Sequence, residues 1–189
     1  MWRAGCKTLP GSVLSGENVK RPQRSANGRS AFLSKACPPT ICATAEALLN
    51  LSSHQYTAKK YDAAEANLKM ALHLWEAKEG RRCFGVSTCL NNLGRICEER
   101  GETRQGVLYH QEAVSIRKEI LGIHPETAFS LGNCGAALAG DAQWEKAAQT
   151  LEEALSCYES LGLSDSPEAV TCRNNLNLCR NAVKQSAAQ

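Results

Sequence analysis

One asparagine position returns at a nearly constant interval along the chain. Its four copies are each followed by an apolar residue and are spaced 42, 41 and 42 residues apart: Asn50, Asn92, Asn133 and Asn175. A carboxamide carries both hydrogen-bond donors and an acceptor, so it can pair with peptide N–H and C=O groups without demanding a particular side chain. The spacing therefore predicts a ladder of groups suited to gripping an extended backbone.

Three neighbours lie within one helical turn of this ladder, namely Asn91, Arg95 and Asn174. The two asparagines would add selectivity. Arg95 would either pair with a ligand carboxylate or serve as an intrahelical partner for Glu98 or Glu99. A structural alternative stays open for the ladder itself, because buried carboxamides also bond adjacent helices and fix their register.

Catalytic and metal-binding signatures are missing from the sequence. It contains no Gly-x-Ser-x-Gly, phosphate-loop or His-Glu-x-x-His pattern. The cysteines have none of the Cys-x-x-Cys spacing that would indicate zinc or thiol redox chemistry. We therefore expect neither an enzyme nor a bound cofactor or metal.

Composition favours closely packed helices. Of the 189 residues 43% are hydrophobic but only 5% are aromatic, so the core must be built from Ala, Leu and Cys. There is no apolar run long enough for a signal peptide or a membrane span, which predicts reduced thiols, a cytoplasmic location and no membrane insertion. Six of the ten cysteines fall where a helix would bury a small apolar residue: Cys89, Cys97, Cys134, Cys157, Cys172 and Cys179.

The first 42 residues differ from the rest of the chain. They hold seven Lys or Arg against Glu17 alone, which gives +6 and leaves −3 for residues 43–189 out of the total of +3. We expect a disordered basic tail here, with a mitochondrial targeting signal as the alternative. A mildly acidic body is a poor nucleic-acid surface, so we expect no nucleic-acid partner.

From Ala43 onward apolar residues recur at helical spacing. The repeat length predicts stacked helical hairpins rather than one globular core. The predicted units are 43–85, 86–125 and 126–166, followed by a capping helix over 167–186 whose Ser166 is an N-cap candidate.

Two units resemble tetratricopeptide repeats in their Leu-Gly step, their short turn, the aromatic residue or its substitute after the turn and the Ala that follows. The residues that carry the likeness are Leu93-Gly94, Gly101 and Gly106, then Gly135, Trp144 and Ala147. The 42-residue length, the Leu90–Leu93 Leu-Asn-Asn-Leu core and the 121–127 linker are similar to the kinesin light chain subclass. The resemblance implies an all-α, right-handed α-solenoid in which the first helix of each pair, and so the asparagine ladder, lines a concave groove. No heptad segment of the kind that joins kinesin light chains to their motor is present in residues 1–42.

The resulting hypothesis is a non-catalytic adaptor or scaffold that holds a protein or peptide segment in its groove. The predicted groove residues are Asn50, Asn91, Asn92, Arg95, Asn133, Asn174 and Asn175. The alternative is a structural subunit that docks into a larger assembly through its convex or end surface and its basic tail.

Overall fold

The structure is a computed structural model that describes residues 40–186, and over this range all regular secondary structure is α-helical. The predicted basic tail therefore lies almost entirely outside the described residues. The first helix begins at Thr40, three residues before the predicted start at Ala43.

Seven helices follow one another between residues 40 and 186. They are α1 (Thr40–Thr57), α2 (Tyr61–Glu79), α3 (Phe84–Glu99), α4 (Thr103–Leu121), α5 (Pro125–Gly140), α6 (Trp144–Ser160) and α7 (Pro167–Ser186). The helices α1 and α2, α3 and α4, and α5 and α6 form three packed pairs, and α7 packs on α5 and α6. This arrangement confirms the predicted all-α solenoid.

The turn inside each pair needs one residue in the left-handed region. That residue is Lys59 (φ 59°), Gly101 (φ 77°) and Ala142 (φ 57°) in the three pairs. Only Gly101 takes this conformation without steric cost, because it lacks a Cβ. Packing of the helices must therefore hold the turn in this conformation in the pairs that lack glycine there.

Small residues set how closely the two helices of a pair approach. A Cβ on Gly94 would lie 2.6 Å from the ring of His110, and a Cβ on Gly135 would lie 2.6 Å from Leu151 Cγ. Both contacts join the first helix of a pair to the second. The glycines of the Leu-Gly step are thus packing positions.

The fourth unit is represented by α7, whose two faces differ sharply. Ala169, Cys172, Leu176 and Cys179 are buried against the preceding pair. Ser166 caps the helix, since its Oγ accepts from the Ala169 N–H at 3.2 Å, which confirms the predicted N-cap. The opposite face is exposed and polar: Arg173, Asn174, Asn177, Arg180 and Asn181.

Candidate functional site

A groove of about 910 Å³ runs across the first helices of the stack. Residues of α1, α3, α5 and α7 contribute to its wall. Every second helix along the chain therefore lines the same surface. Its lining consists of Asn50, Ser53, His54, Thr57, Thr88, Asn91, Asn92, Arg95, Arg117, Pro125, Glu126, Phe129, Tyr158, Leu163, Ser166 and Glu168.

Four of the seven predicted groove residues line this surface: Asn50, Asn91, Asn92 and Arg95. Asn50 is exposed and Asn92 is half-buried, and neither carboxamide has a hydrogen-bond partner among residues 40–186. Both are thus available to a ligand backbone.

The remaining three predicted residues lie outside the lining. Asn133 is only 9% exposed, and its Nδ2 donates to Asn91 Oδ1 at 3.2 Å across the α3–α5 contact. Asn174 is exposed and Asn175 half-buried on α7. The ladder is therefore continuous in sequence register, but its side chains differ in exposure and in hydrogen bonding.

Arg95 reaches the groove from α3 and lies over the Tyr56 ring, with 4.4 Å between the guanidinium carbon and the ring centroid. The Tyr56 hydroxyl donates to Glu99 Oε1 at 3.0 Å, and the Tyr61 hydroxyl donates to Glu99 Oε2 at 3.1 Å. Burial raises the pKa of Tyr56 to about 12, although the charge of Arg95 opposes the shift. The phenol therefore stays neutral, and Arg95 supplies a held cation at this end of the groove.

Sequence reasoning missed Arg117, which is 2% exposed beneath the groove. Its guanidinium donates to Ser87 Oγ at 3.2 Å, to Ser130 Oγ at 2.7 Å and to the Glu126 carbonyl oxygen at 2.9 Å. It also forms an ion pair with Glu126 Oε2 at 3.1 Å. Burial lowers the pKa of Arg117, and the charge of Glu126 opposes that shift.

A signal for Arg117 was present in the sequence. It lies four residues after Ala113 and one after Ile116, on the buried face of α4. An arginine in that register is either snorkelling or paired inside. Here it ties α3, α4 and α5 together below the groove.

The two ends of the groove differ in chemistry. The α1–α3 end carries carboxamides, hydroxyls and Arg95, whereas the α5–α7 end carries Phe129, Tyr158 and Leu163 beside Glu126 and Glu168. The first set suits a backbone, and the second suits an apolar side chain.

The small residues of α5 contact neighbouring helices. A Cβ on Gly132 would lie 2.8 Å from Cys172 Sγ of α7, and Gly135 faces Leu151 of α6. This placement favours close helix packing over a hollow for a bulky ligand group.

The six cysteines assigned to packing are all buried. Burial raises the pKa of Cys89 to about 12 and that of Cys134 to about 11. Within residues 40–186 no three metal-binding side chains lie together, and no helix in that part of the chain is long and apolar enough to cross a membrane.

Comparison with known proteins places the chain by sequence as well as by shape. The tetratricopeptide repeat family matches residues 43–119 and 108–160, more than half of the chain. A comparison with curated protein sequences finds no match.

Solved structures with this fold share little sequence with the chain. BtubC (BKLC) from P. vanneervenii is 20% identical with a TM-score of 0.69, over 74% of this chain and 56% of that chain. A putative kinesin light chain from Podosopora anserina with nearly identical repeats is 17% identical with a TM-score of 0.63, over 82% and 71% of the two chains. The N-terminal domain of stress-induced protein-1 from C. elegans is 18% identical with a TM-score of 0.55, over 71% and 96%.

The chain thus spans about half the length of BtubC. Its fold is of the kinesin light chain-like type. The tetratricopeptide repeat that matches its sequence serves in general as a protein–protein interaction scaffold. On the match over residues 43–160, the chain belongs to the tetratricopeptide repeat family.

Proposed function

We propose that the chain is a non-catalytic adaptor that holds an extended peptide or partner segment in its concave groove. The observation that carries this proposal is the pair of uncommitted carboxamides, Asn50 and Asn92, on adjacent first helices in the groove wall. A polar group that has no internal partner and lies in a concavity suits a ligand backbone better than it suits the fold.

The unequal ends of the groove define the ligand further. An extended segment would place backbone groups against the carboxamides of α1 and α3. It would place an apolar side chain against Phe129, Tyr158 and Leu163 at the other end. Binding would be modest, because ordering a flexible peptide consumes part of the interaction energy.

Selection of binding peptides from a random library would test the proposal. Peptides displayed as a library are selected on the purified chain, and their affinities are measured by calorimetry with the wild type and with Asn50→Ala/Asn92→Ala. Loss of two hydrogen bonds of about 1 kcal/mol each should weaken binding about thirtyfold. The matched control is Asn177→Ala/Asn181→Ala, which removes two exposed carboxamides from the outer face of α7.

The proposal fails if the groove variant binds selected peptides as well as the wild type does, or if the α7 variant loses binding equally. Deleting residues 1–39 addresses the structural-subunit alternative. A groove adaptor should keep its peptide affinity after this deletion. Retained peptide affinity together with lost incorporation into a cellular assembly would assign a docking role to the tail as well.

A further inference from the structure

The second helix pair buries a titratable ring where its neighbours bury leucine. His110 occupies the eighth position of α4, as Leu68 does in α2 and Leu151 in α6. It is 0% exposed and its ring rests on Gly94. A polar ring in a leucine position must find partners, because an unpaired buried polar group costs free energy.

Both ring nitrogens of His110 face oxygen atoms of α3. Nδ1 lies 3.1 Å from Asn91 Oδ1, and Nε2 lies 3.2 Å from Glu98 Oε1. The second contact is close but poorly aligned, and both of its atoms are enclosed. An amide oxygen only accepts hydrogen bonds, so Nδ1 carries a hydrogen and donates it to Asn91.

The Asn91 oxygen receives a second hydrogen bond on the same side. Asn133 Nδ2 donates to it at 3.2 Å from α5. An amide oxygen has two lone pairs, so Oδ1 of Asn91 is fully used inside the protein. Its Nδ2 group has no partner among the residues that the structure describes, and Asn91, at 4% exposure, contributes to the groove wall.

We infer that His110 is a positioning residue that fixes the Asn91 carboxamide with its oxygen inward and its NH₂ group toward the groove. Asn91 then offers donors only, so the ligand class that fits is a backbone presenting a carbonyl oxygen at the middle of α3. This inference rests on the proposed groove function, but it concerns an orientation that can be measured without a peptide.

The reverse arrangement defines the competing outcome. A neutral ring with its hydrogen on Nε2, donating to Glu98, would need Asn91 and Asn133 both turned over. The Asn133 oxygen would then face Asn91 Nδ2, and Asn91 would present its own oxygen, an acceptor, to the groove. An experiment that detects donors at Asn91 separates the two arrangements.

The test uses the side-chain NH₂ resonances of Asn91, assigned with Asn91→Ala, and N,N-dimethylacetamide as the probe. This probe accepts hydrogen bonds and cannot donate them. We expect its addition to shift the Asn91 resonances of the wild type. The exposed carboxamide of Asn174, which takes the equivalent position in α7, gives the shift of a freely accessible NH₂ group.

Two variants separate positioning from packing. His110→Leu restores the residue of the sister pairs, so the fold should remain intact while the Asn91 amide loses one of its two orienting donors. The probe-induced shift should then fall by up to about twofold, because Asn133 alone holds the Asn91 oxygen inward and a fully freed amide would share its time between two orientations. His110→Asn keeps a donor near the Nδ1 position and should restore the shift.

An Asn91 response that is the same in the wild type and in His110→Leu would overturn the positioning role. A wild-type Asn91 NH₂ group that does not respond to the probe would overturn the donor-outward orientation. Neither result depends on peptide capture, so failure of the proposed adaptor function would appear separately as an unaffected peptide affinity in the Asn50→Ala/Asn92→Ala variant.

Discussion

The second and third helix pairs share one backbone plan and differ in what fills it. At four equivalent places the second pair buries or half-buries polar side chains where the third has small or less polar ones. The matched positions, counted from the helix starts, are Asn91 and Gly132, Glu98 and Ala139, His110 and Leu151, and Arg117 and Tyr158. At these four positions the third pair makes apolar contacts, whereas the second makes hydrogen bonds and ion pairs.

The backbone features common to both pairs explain why one plan accepts two interiors. Gly94 and Gly135 set the same close approach, and the turns at Gly101 and Ala142 take the same left-handed conformation. Of the four polar side chains of the second pair, Asn91 and Arg117 line the groove, and the third pair lines it with Phe129 and Tyr158. Both pairs therefore present groups to the groove, and they differ in the chemistry of those groups.

Transferring histidine to the third pair should break the comparison most severely. In Leu151→His the ring would face Gly132 and Ala139, which offer no side-chain partner. Loss of leucine burial and an unpaired polar ring together should cost about 5 kcal/mol. Urea unfolding followed by circular dichroism measures this.

The matched change in the second pair is His110→Leu, which should alter stability by about 1 kcal/mol or less because an apolar residue of similar volume replaces a polar group. Equal losses from the two substitutions would show that the polar residues of the second pair do not support His110.

At alkaline pH the free energy of unfolding should fall because of a buried thiol in the second pair. Burial raises the pKa of Cys89 to about 12. The folded state therefore holds this proton more tightly than the unfolded state, so the contribution is complete below the unfolded pKa of about 9 and is lost as pH rises toward 12. Three pH units correspond to about 4 kcal/mol.

The measurement is the free energy of unfolding from pH 8 to pH 11. Cys89→Ala should show a shallower decline with pH than the wild type, because it removes the buried thiol. A Cys89→Ala variant that keeps the wild-type slope would show that the alkaline loss has another source.

Removing the charge under the groove should cost less than the histidine transfer. Arg117→Met leaves Ser87, Ser130 and the Glu126 carbonyl without their donor, and we expect a loss of about 3 kcal/mol. Arg117→Lys keeps the charge without the planar fork and should recover only part of it. Thermal unfolding of the two variants checks this order, and a methionine variant as stable as the wild type would contradict it.

The fold was predictable because it depends on short-range, repeated features. The Leu-Gly step at Gly94, the turn at Gly101 and the N-cap at Ser166 can each be recognised from a few neighbouring residues. The regular spacing does not show which ladder side chains reach the groove, since Asn92 and Asn133 occupy the same helical position but only Asn92 lines the groove. Register gives a residue's height on a helix, whereas the side chains of the next helix decide whether it is satisfied inside.

Asn133 shows this dependence directly. Its partner Asn91 precedes the ladder position of the second pair, and the corresponding residue of the third pair is Gly132, whose Cβ would meet Cys172 Sγ at 2.8 Å. No pattern within one repeat reveals that pairing, because it joins two repeats. Whether Asn133, Asn174 and Asn175 contact a ligand stays a prediction.

The smallest expected effect compares the two turns. Gly101→Ala places a Cβ at φ 77° and should destabilise the chain by about 1 kcal/mol, because left-handed backbone is strained for residues with side chains. Ala142→Gly relieves that strain at φ 57° in the third pair. Its gain should be smaller than the loss at Gly101, because glycine also adds conformational entropy to the unfolded chain.

Space does not interfere at Gly101, since a Cβ there would meet nothing within 4 Å. Melting temperatures of the two variants and of the double variant measure the loss at Gly101 and the gain at Ala142. Opposite signs for the single changes would confirm that both pairs need the same turn, whereas two losses of equal size would mean that Ala142 stabilises its turn by contacts that glycine cannot make.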